Sequence, residues 1–273
     1  MKLARLKIVL LIPLVLFALI YAYGAIKLAT NDDTVPIADV TSAEPVTVAI
    51  FGASGTAGDG ILKAAMASPD IGMIHVYTRR ATERMEAGVA AGTVQVTLHQ
   101  DYLDYSPILE DIVGLDAVYW AIGTSTVGVD EETYGRIHVD FPMRFVESWL
   151  AASDKPDISF HYISSSDLSE DSGMMWVQQK LRAERSLIGL AEGTKLRVIA
   201  YRPDYIGPTE EEAHLGQNLL YWFFAPVGAA VRATSIGQAM IDVTVRGKEF
   251  ENGRKLGTAS IIRYSSAYER RQK

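Results

Sequence analysis

Apolar and polar positions change their rhythm three times along the chain. Residues 8–28 (IVLLIPLVLFALIYAYGAIKL) are almost continuously apolar, broken near the end by Lys27. About 20 such residues in a helix cross a bilayer core. Residues 1–29 are therefore expected to be a single-pass N-terminal membrane anchor, a transmembrane helix partnered by the lipid bilayer. Tyr21 and Tyr23 stand where an interfacial aromatic belt would lie. A cleaved signal peptide is the rival, with Ala22-Tyr23-Gly24 as its cleavage site. Lys2, Arg5 and Lys7 precede the span and Asp32 and Asp33 follow it, which would send the rest of the chain outward. The cofactor argued below is normally cytosolic, so the face of the membrane stays open. Residues 30–45 carry Asn31, Asp32, Asp33, Pro36, Ser42 and Pro45 and read as a polar linker.

From Val46 onward short apolar runs alternate with helical spacing. Val46–Phe51, Met73–Thr78, Val94–Leu98, Asp116–Ile122, Ile158–Ile163 and Leu196–Tyr201 predict six strands. A helix follows Gly58 with Ile61, Leu62, Ala65 and Met66 on one face. Others are predicted over Tyr105–Val113, Tyr134–Ala152, Met175–Leu190 and, as a closing helix, Ser235–Val245. Near-continuous apolar strands separated by helices mean an α/β fold, a doubly wound parallel sheet (Rossmann) covering residues 46–273. Ligands of such sheets lie beyond the carboxyl ends of the strands. A small C-terminal substrate-side region is expected after the sixth strand. Leu219–Val227 is the most apolar part of the soluble chain and reads as core or subunit contact, as a lid for an apolar substrate, or as a surface on the anchor's own bilayer. The polar tail Tyr268–Lys273 is expected to fray.

Composition narrows the chemistry. The 273 residues hold 26 Lys+Arg against 33 Asp+Glu, a net charge of -7, and no cysteine. Thiol enzymes, disulfide scaffolds and cysteine metal sites are excluded. The five histidines have no metal-ligand spacing, so no metal is expected. An acidic chain lacks the basic footprint of a nucleic-acid binder. A homo-oligomer is left open.

The turn after the first strand is Gly52-Ala53-Ser54-Gly55-Thr56-Ala57-Gly58. Strand, glycine turn, helix and strand within about 30 residues form the dinucleotide-binding unit. The first glycine permits the sharp turn, the second lets backbone approach a pyrophosphate, and the third lets helix pack on strand. The helix N-terminus then offers N–H donors to phosphate. The second strand ends Val76-Tyr77-Thr78-Arg79-Arg80, with two guanidiniums and no carboxylate at the tip. Carboxylate there would suit the ribose of NAD; Arg suits the extra phosphate of NADP. NADP is the expected cofactor, with NAD as the second choice.

In order along the chain stand GASGTAG, Asp101, Ala121-Ile122-Gly123, Ser164-Ser165-Ser166 and Arg202-Pro203. As a set they resemble the short-chain dehydrogenase/reductase superfamily, in its extended and atypical branches, including the Tat-interacting-protein-like and NmrA-like groups. The resemblance covers about residues 46–245. It implies that Gly52, Ser54, Gly55, Thr56 and Gly58 hold the pyrophosphate and that Arg79 and Arg80 meet the adenosine phosphate. It places Asp101 and Tyr102 beside adenine, and Ala121 and Gly123 along the cofactor. Val139-Asp140 stands where the family often has Val-Asn.

The family's catalytic set is a serine or threonine followed by Tyr-x-x-x-Lys. Here Ser164, Ser165 and Lys180 match it, but Trp176 holds the tyrosine position. An indole N–H donates only and is no acid near neutral pH. Tyr23 to Lys27 matches the spacing by coincidence, inside the apolar segment. A proton would have to come from Tyr205, Tyr201, a serine or water, or from another tyrosine that folds in. Lys180 weighed alone is either a ribose ligand or a solvated helix charge. Two functions remain: a membrane-tethered NADP-dependent oxidoreductase acting on a lipophilic carbonyl, or a cofactor-binding sensor or assembly factor without turnover.

Overall fold

The computed structural model describes residues 15–26, 34–39 and 44–273. Nine strands are present among them: β1 Val46–Phe51, β2 Ile71–Thr78, β3 Val94–Leu98, β4 Ala117–Trp120, β5 Ile158–Ile163, β6 Leu196–Arg202, β7 Tyr205–Gly207, β8 Ala230–Arg232 and β9 Arg254–Gly257. The helices are α1 over residues 15–26, α2 Thr56–Met66, α3 Glu83–Ala90, α4 Leu109–Ile112, α5 Glu131–Gly135, α6 Phe141–Ala152, α7 Met175–Ala191, α8 Leu215–Phe224, α9 Ala233–Arg246 and α10 Thr258–Arg271. Seven strands form one sheet in the order β3-β2-β1-β4-β5-β6-β9, and β7 pairs with β8 in a separate ribbon. Every pairing is parallel.

Alternation along β1 explains why both faces must be covered. Val48 and Ile50 belong to one core with Ile61 of α2, Met240 of α9 and Ile261 of α10. Ala49 and Phe51 belong to the other, with Phe145 and Trp149 of α6 and Leu187 of α7. The second core is aromatic at its centre. The Phe51 ring lies 4.7 Å from that of Trp120 and 4.6 Å from that of Phe145, centroid to centroid. A strand buried on both faces needs apolar residues at consecutive positions, which is the pattern of Val48–Phe51.

The expected doubly wound sheet is present, with differences that have physical causes. The helix expected over Tyr134–Ala152 is two α-segments joined by a π-turn at Arg136–Asp140. The segment expected as a helix over Tyr105–Val113 is a 3-10 turn, Ser106–Ile108, leading into the short α4. A seventh sheet strand, β9, escapes the apolar pattern because it is an edge. Only Leu256 is buried in it, and Arg254 and Lys255 face solvent. Charge on an edge strand discourages pairing with another chain. The tail does not fray: Tyr268 is buried and Arg271 pairs with Asp70 at 2.8 Å and with the fully buried Asp242 at 3.5 Å. Part of the polar linker is also fixed, since Arg246 donates to the carbonyl of Pro36 and Arg270 to that of Val35.

The expected membrane span, residues 8–28, lies partly outside the described residues. Among those described, no helix is long and apolar enough to cross a membrane. The described part, α1, is helical and leaves Leu16, Phe17, Leu19, Ile20 and Tyr23 exposed. The Leu219–Val227 stretch is not core. α8 has no buried residue, and Leu215, Leu219, Leu220, Trp222 and Phe223 are exposed. α1 leans on it: Tyr21 donates a 2.7 Å hydrogen bond to the Phe223 carbonyl, and the Phe17 and Phe223 rings stack at 6.1 Å.

Candidate functional site

Strand order reverses between β2-β1 and β1-β4, and a groove opens there beyond the strand ends. Its floor is the turn between β1 and α2. Gly52 has φ +81, and a Cβ there would lie 2.6 Å from the Ala121 carbonyl carbon. Gly58 sits where a Cβ would lie 2.1 Å from the Gly52 oxygen. These two glycines are required by the protein itself. Gly55 is not: its φ is -100, and an added Cβ would meet only the Gly52 oxygen, at 3.5 Å. Gly55 faces the groove, so the missing side chain leaves room for something other than protein. It is also the N-cap of α2 and makes no side-chain cap. The first-turn amides of an 11-residue helix are thus left for an anion.

The groove consists of two connected cavities. One, of 380 Å³, is lined by Gly52, Ser54, Gly55, Thr78, Arg79, Tyr102, Ala121, Gly123 and Thr124, with Ile122, Ile137 and Phe141 as apolar walls. Burial raises the Tyr102 phenol above its ordinary pKa, and the ring lies 5.5 Å from that of Phe141. Arg79 is exposed at the rim; its carbonyl accepts from Gln100, and its guanidinium makes no ion pair among the described residues. The other cavity, of 400 Å³, shares Gly55, Ala121, Gly123 and Thr124 and extends to Tyr134, His138, Ser164, Ser165, Trp176 and Lys180. A third, of 490 Å³, borders the glycine turn from the side of β7 and α8 and contains none of Ser164, Ser165 or Lys180.

Burial dominates the chemistry of the second cavity. Lys180, one turn into α7, is 7% exposed; its ammonium donates to the Ile163 carbonyl at 3.0 Å and lies 4.9 Å from the Tyr162 ring centre. Desolvation pulls its pKa down to about 7, against the opposing charge of Glu184. Glu184 is itself held bidentately by Arg202, at 2.9 and 2.5 Å. Lys180 is therefore not a solvated helix charge. The Ser164 hydroxyl, at the end of β5, is buried and has no hydrogen-bond partner among the described residues. His138 Nε2 lies 3.2 Å from the Thr124 amide and 3.4 Å from the Thr124 carbonyl, and its Nδ1 is buried without a partner among the described residues. Burial, then the nearby Lys180, pushes the His138 pKa down to about 3, so the ring is neutral.

No family model matches the sequence, and no curated protein sequence matches it. Solved structures do match in shape. An oxidoreductase of the short-chain dehydrogenase/reductase family from Burkholderia thailandensis is similar with a TM-score of 0.64 at 17% identity, over 81% of this chain and 93% of that one. A 3-oxoacyl-[acyl-carrier protein] reductase from Brucella melitensis gives 0.61 at 16% identity, over 81% and 98%. The fold is that of the short-chain dehydrogenases/reductases. A UDP-glucuronic acid 4-epimerase from Bacillus cereus, solved in complex with NAD, shares it with a TM-score of 0.58 at 12% identity, over 77% of each chain.

Within this dehydrogenase/reductase fold the expected residues divide. Gly52, Ser54, Gly55, Thr56, Arg79, Tyr102, Ala121, Gly123, Ser164, Ser165 and Lys180 all line the groove or its rim. Gly58 does structural packing instead. Arg80 is exposed and lines neither cavity; its carbonyl accepts from Thr78. Asp101 is spent on its own turn, accepting from the Leu103 amide at 2.9 Å. Asp140 is exposed at the end of the π-turn. Sequence reasoning missed Thr124, Tyr134, Ile137, His138 and Phe141. His138 lies within the π-turn, and Tyr134 and Phe141 flank it; no periodicity announces such a turn.

Proposed function

We propose that this chain is an NADP-dependent reductase of a lipophilic carbonyl compound, held at a lipid bilayer by its N-terminal apolar segment. One observation carries the proposal: Ser164, a buried hydroxyl with no partner among the described residues, shares a cavity with the buried Lys180 at the far end of a groove floored by a glycine turn. An orphaned buried hydroxyl costs about 1–3 kcal/mol and is tolerated where a ligand completes it. The groove fits a nicotinamide dinucleotide on the same grounds. Gly55 keeps open a space that the protein does not need, and the α2 amides face it. Tyr102 and Phe141 offer an apolar slot for an adenine, with Arg79 at its rim for a ribose phosphate. Lys180 would hold the ribose at the other end, and Ser164 would donate to the substrate oxygen. When bound, the dinucleotide supplies the hydride. The chain's own share is to hold that group, keep water from its reactive end and place donors at the oxygen that becomes negative.

The lipophilic substrate and the bilayer rest on α1 and α8. Residues 215–227 hold no charged side chain, and α8 joins the exposed apolar surface of α1 through Phe17 and Tyr21. A continuous apolar surface of this kind suits a lipid interface. Titration of the full chain in detergent with NADPH and with NADH, followed by NADPH consumption against aldehydes, ketones and quinones, tests the proposal. Tighter NADPH binding with turnover is expected; no binding of either cofactor would end it. Trp176 favours a second reading, a cofactor-binding sensor without turnover, which predicts binding and no consumption.

A further inference from the structure

A reductase needs a proton for the oxygen it reduces, and Trp176 cannot give one. Tyr201, fully buried, contacts His161 Nδ1 at 2.9 Å inside the core. Tyr162 is also fully buried, and its hydroxyl donates to the His138 carbonyl at 3.2 Å. Tyr205 points to the Gln217 carbonyl and lines neither cavity of the groove. Among the described residues two phenols line the groove: Tyr102 at the Arg79 end, and Tyr134 at the end that holds Ser164 and Lys180.

Tyr134 comes from α5, not from α7, where the family's tyrosine belongs. Its ring packs 4.1 Å from that of His138, four residues on, and the Thr124 amide fixes His138 in turn. The π-turn that begins at Arg136 carries His138, so the phenol is braced by an irregular element at the groove's edge. Such π-turns recur at functional sites. The Tyr134 hydroxyl makes no hydrogen bond among the described residues. Burial pushes its pKa up to about 12, so it carries its proton at neutral pH.

We infer that Tyr134 is the proton donor of this site, replacing the tyrosine lost at Trp176; the inference rests on the reductase proposal. The substrate carbonyl oxygen accepts hydrogen bonds from Ser164 and Tyr134. As hydride forms the new C–H bond, the carbonyl π pair moves onto oxygen. That oxygen takes the proton of the breaking Tyr134 O–H bond, giving the alcohol. The two electrons come from the dihydronicotinamide, which is oxidised. The phenolate left on Tyr134 regains a proton from water at the groove mouth.

Tyr134→Phe is the test, because it removes only a hydroxyl without a partner. The full chain carrying it is expected to melt and to bind NADPH as the wild type does. Reduction of a carbonyl panel should fall about 100- to 10,000-fold, the usual range for losing a positioned acid. Decanal binding to the complex with oxidised NADP, where no reduction occurs, should weaken about 2- to 10-fold through the lost hydrogen bond. Turnover equal to wild type in Tyr134→Phe removes Tyr134 as donor and leaves the reductase proposal standing. Parallel loss of NADPH binding makes the residue structural and also overturns the inference. A wild-type chain that binds NADPH and reduces nothing in the panel ends the reductase proposal, and this inference with it.

Discussion

Gly55 and Gly58 lie three residues apart in one turn, and the structure assigns them opposite consequences on substitution by alanine. At Gly58 the added Cβ would stand 2.1 Å from the Gly52 oxygen, 2.5 Å from its carbonyl carbon and 2.7 Å from the Ala53 Cα. All three are backbone atoms, so no side chain can rotate away. Overpacking of this kind costs about 1–3 kcal/mol or more. In a domain of this size that is a fall of about 2–4 °C in Tm per kcal/mol. At Gly55 the Cβ meets one atom at 3.5 Å, and the backbone is already extended. Alanine is a poorer N-cap than glycine but loosens the unfolded chain less, so the net change in stability is within about 0.5 kcal/mol. The methyl would instead occupy the approach of a diphosphate to the α2 amides. Loss of one charge-assisted hydrogen bond costs about 1.5–3 kcal/mol, or about 10- to 100-fold in Kd. The assay is a thermal melt and an NADPH titration on the same preparations of wild type, Gly55→Ala and Gly58→Ala. Undiminished NADPH affinity in Gly55→Ala refutes the turn as the diphosphate site. A melt of Gly55→Ala as low as that of Gly58→Ala refutes the packing argument.

Arg79→Ala is expected to weaken NADPH about tenfold through a lost charge-assisted contact and to leave NADH nearly unchanged; equal loss of both would remove Arg79 as the phosphate ligand. Lys180 has a folded pKa near 7, below its ordinary value of 10.5. The unfolded chain thus holds the proton more tightly, and stability rises with pH between those values. Lys180→Met should accordingly raise Tm more at pH 6 than at pH 9, while weakening cofactor binding; an equal gain at both pH values, by circular dichroism, would contradict the burial of the charge. Trp222 should be quenched by brominated lipid in vesicles holding the full chain, and the quenching should vanish in Trp222→Phe. Quenching that survives the substitution would mean that α8 stays clear of the bilayer.

The fold was legible because strands buried on both faces must be apolar throughout, and the helices between them must show one apolar stripe. β3 and β5 fall on the predicted residues, although β3 is a sheet edge with Leu98 exposed and β5 buries Ser159 and His161. The packing roles of Gly52 and Gly58 were readable too, since a sharp turn and a helix–strand contact each exclude a side chain locally. Arg79 and Lys180 were readable as positions but not as states. One guanidinium lines the groove while its neighbour Arg80 does not, and a lysine that the sequence left open between ribose ligand and solvated charge is buried beside Tyr162 and Glu184.

Tertiary structure alone decided the rest. β9 and the tail depend on partners far along the chain, the β6 edge for one and Asp70 and Asp242 for the other. Tyr134 and His138 line one cavity with Ser164, beside and within a π-turn of which hydrophobic spacing carries no mark. The amino-acid order determines which segments must be buried and where the backbone must bend. Which polar side chains meet in the groove depends on distances between elements that only the packed sheet sets.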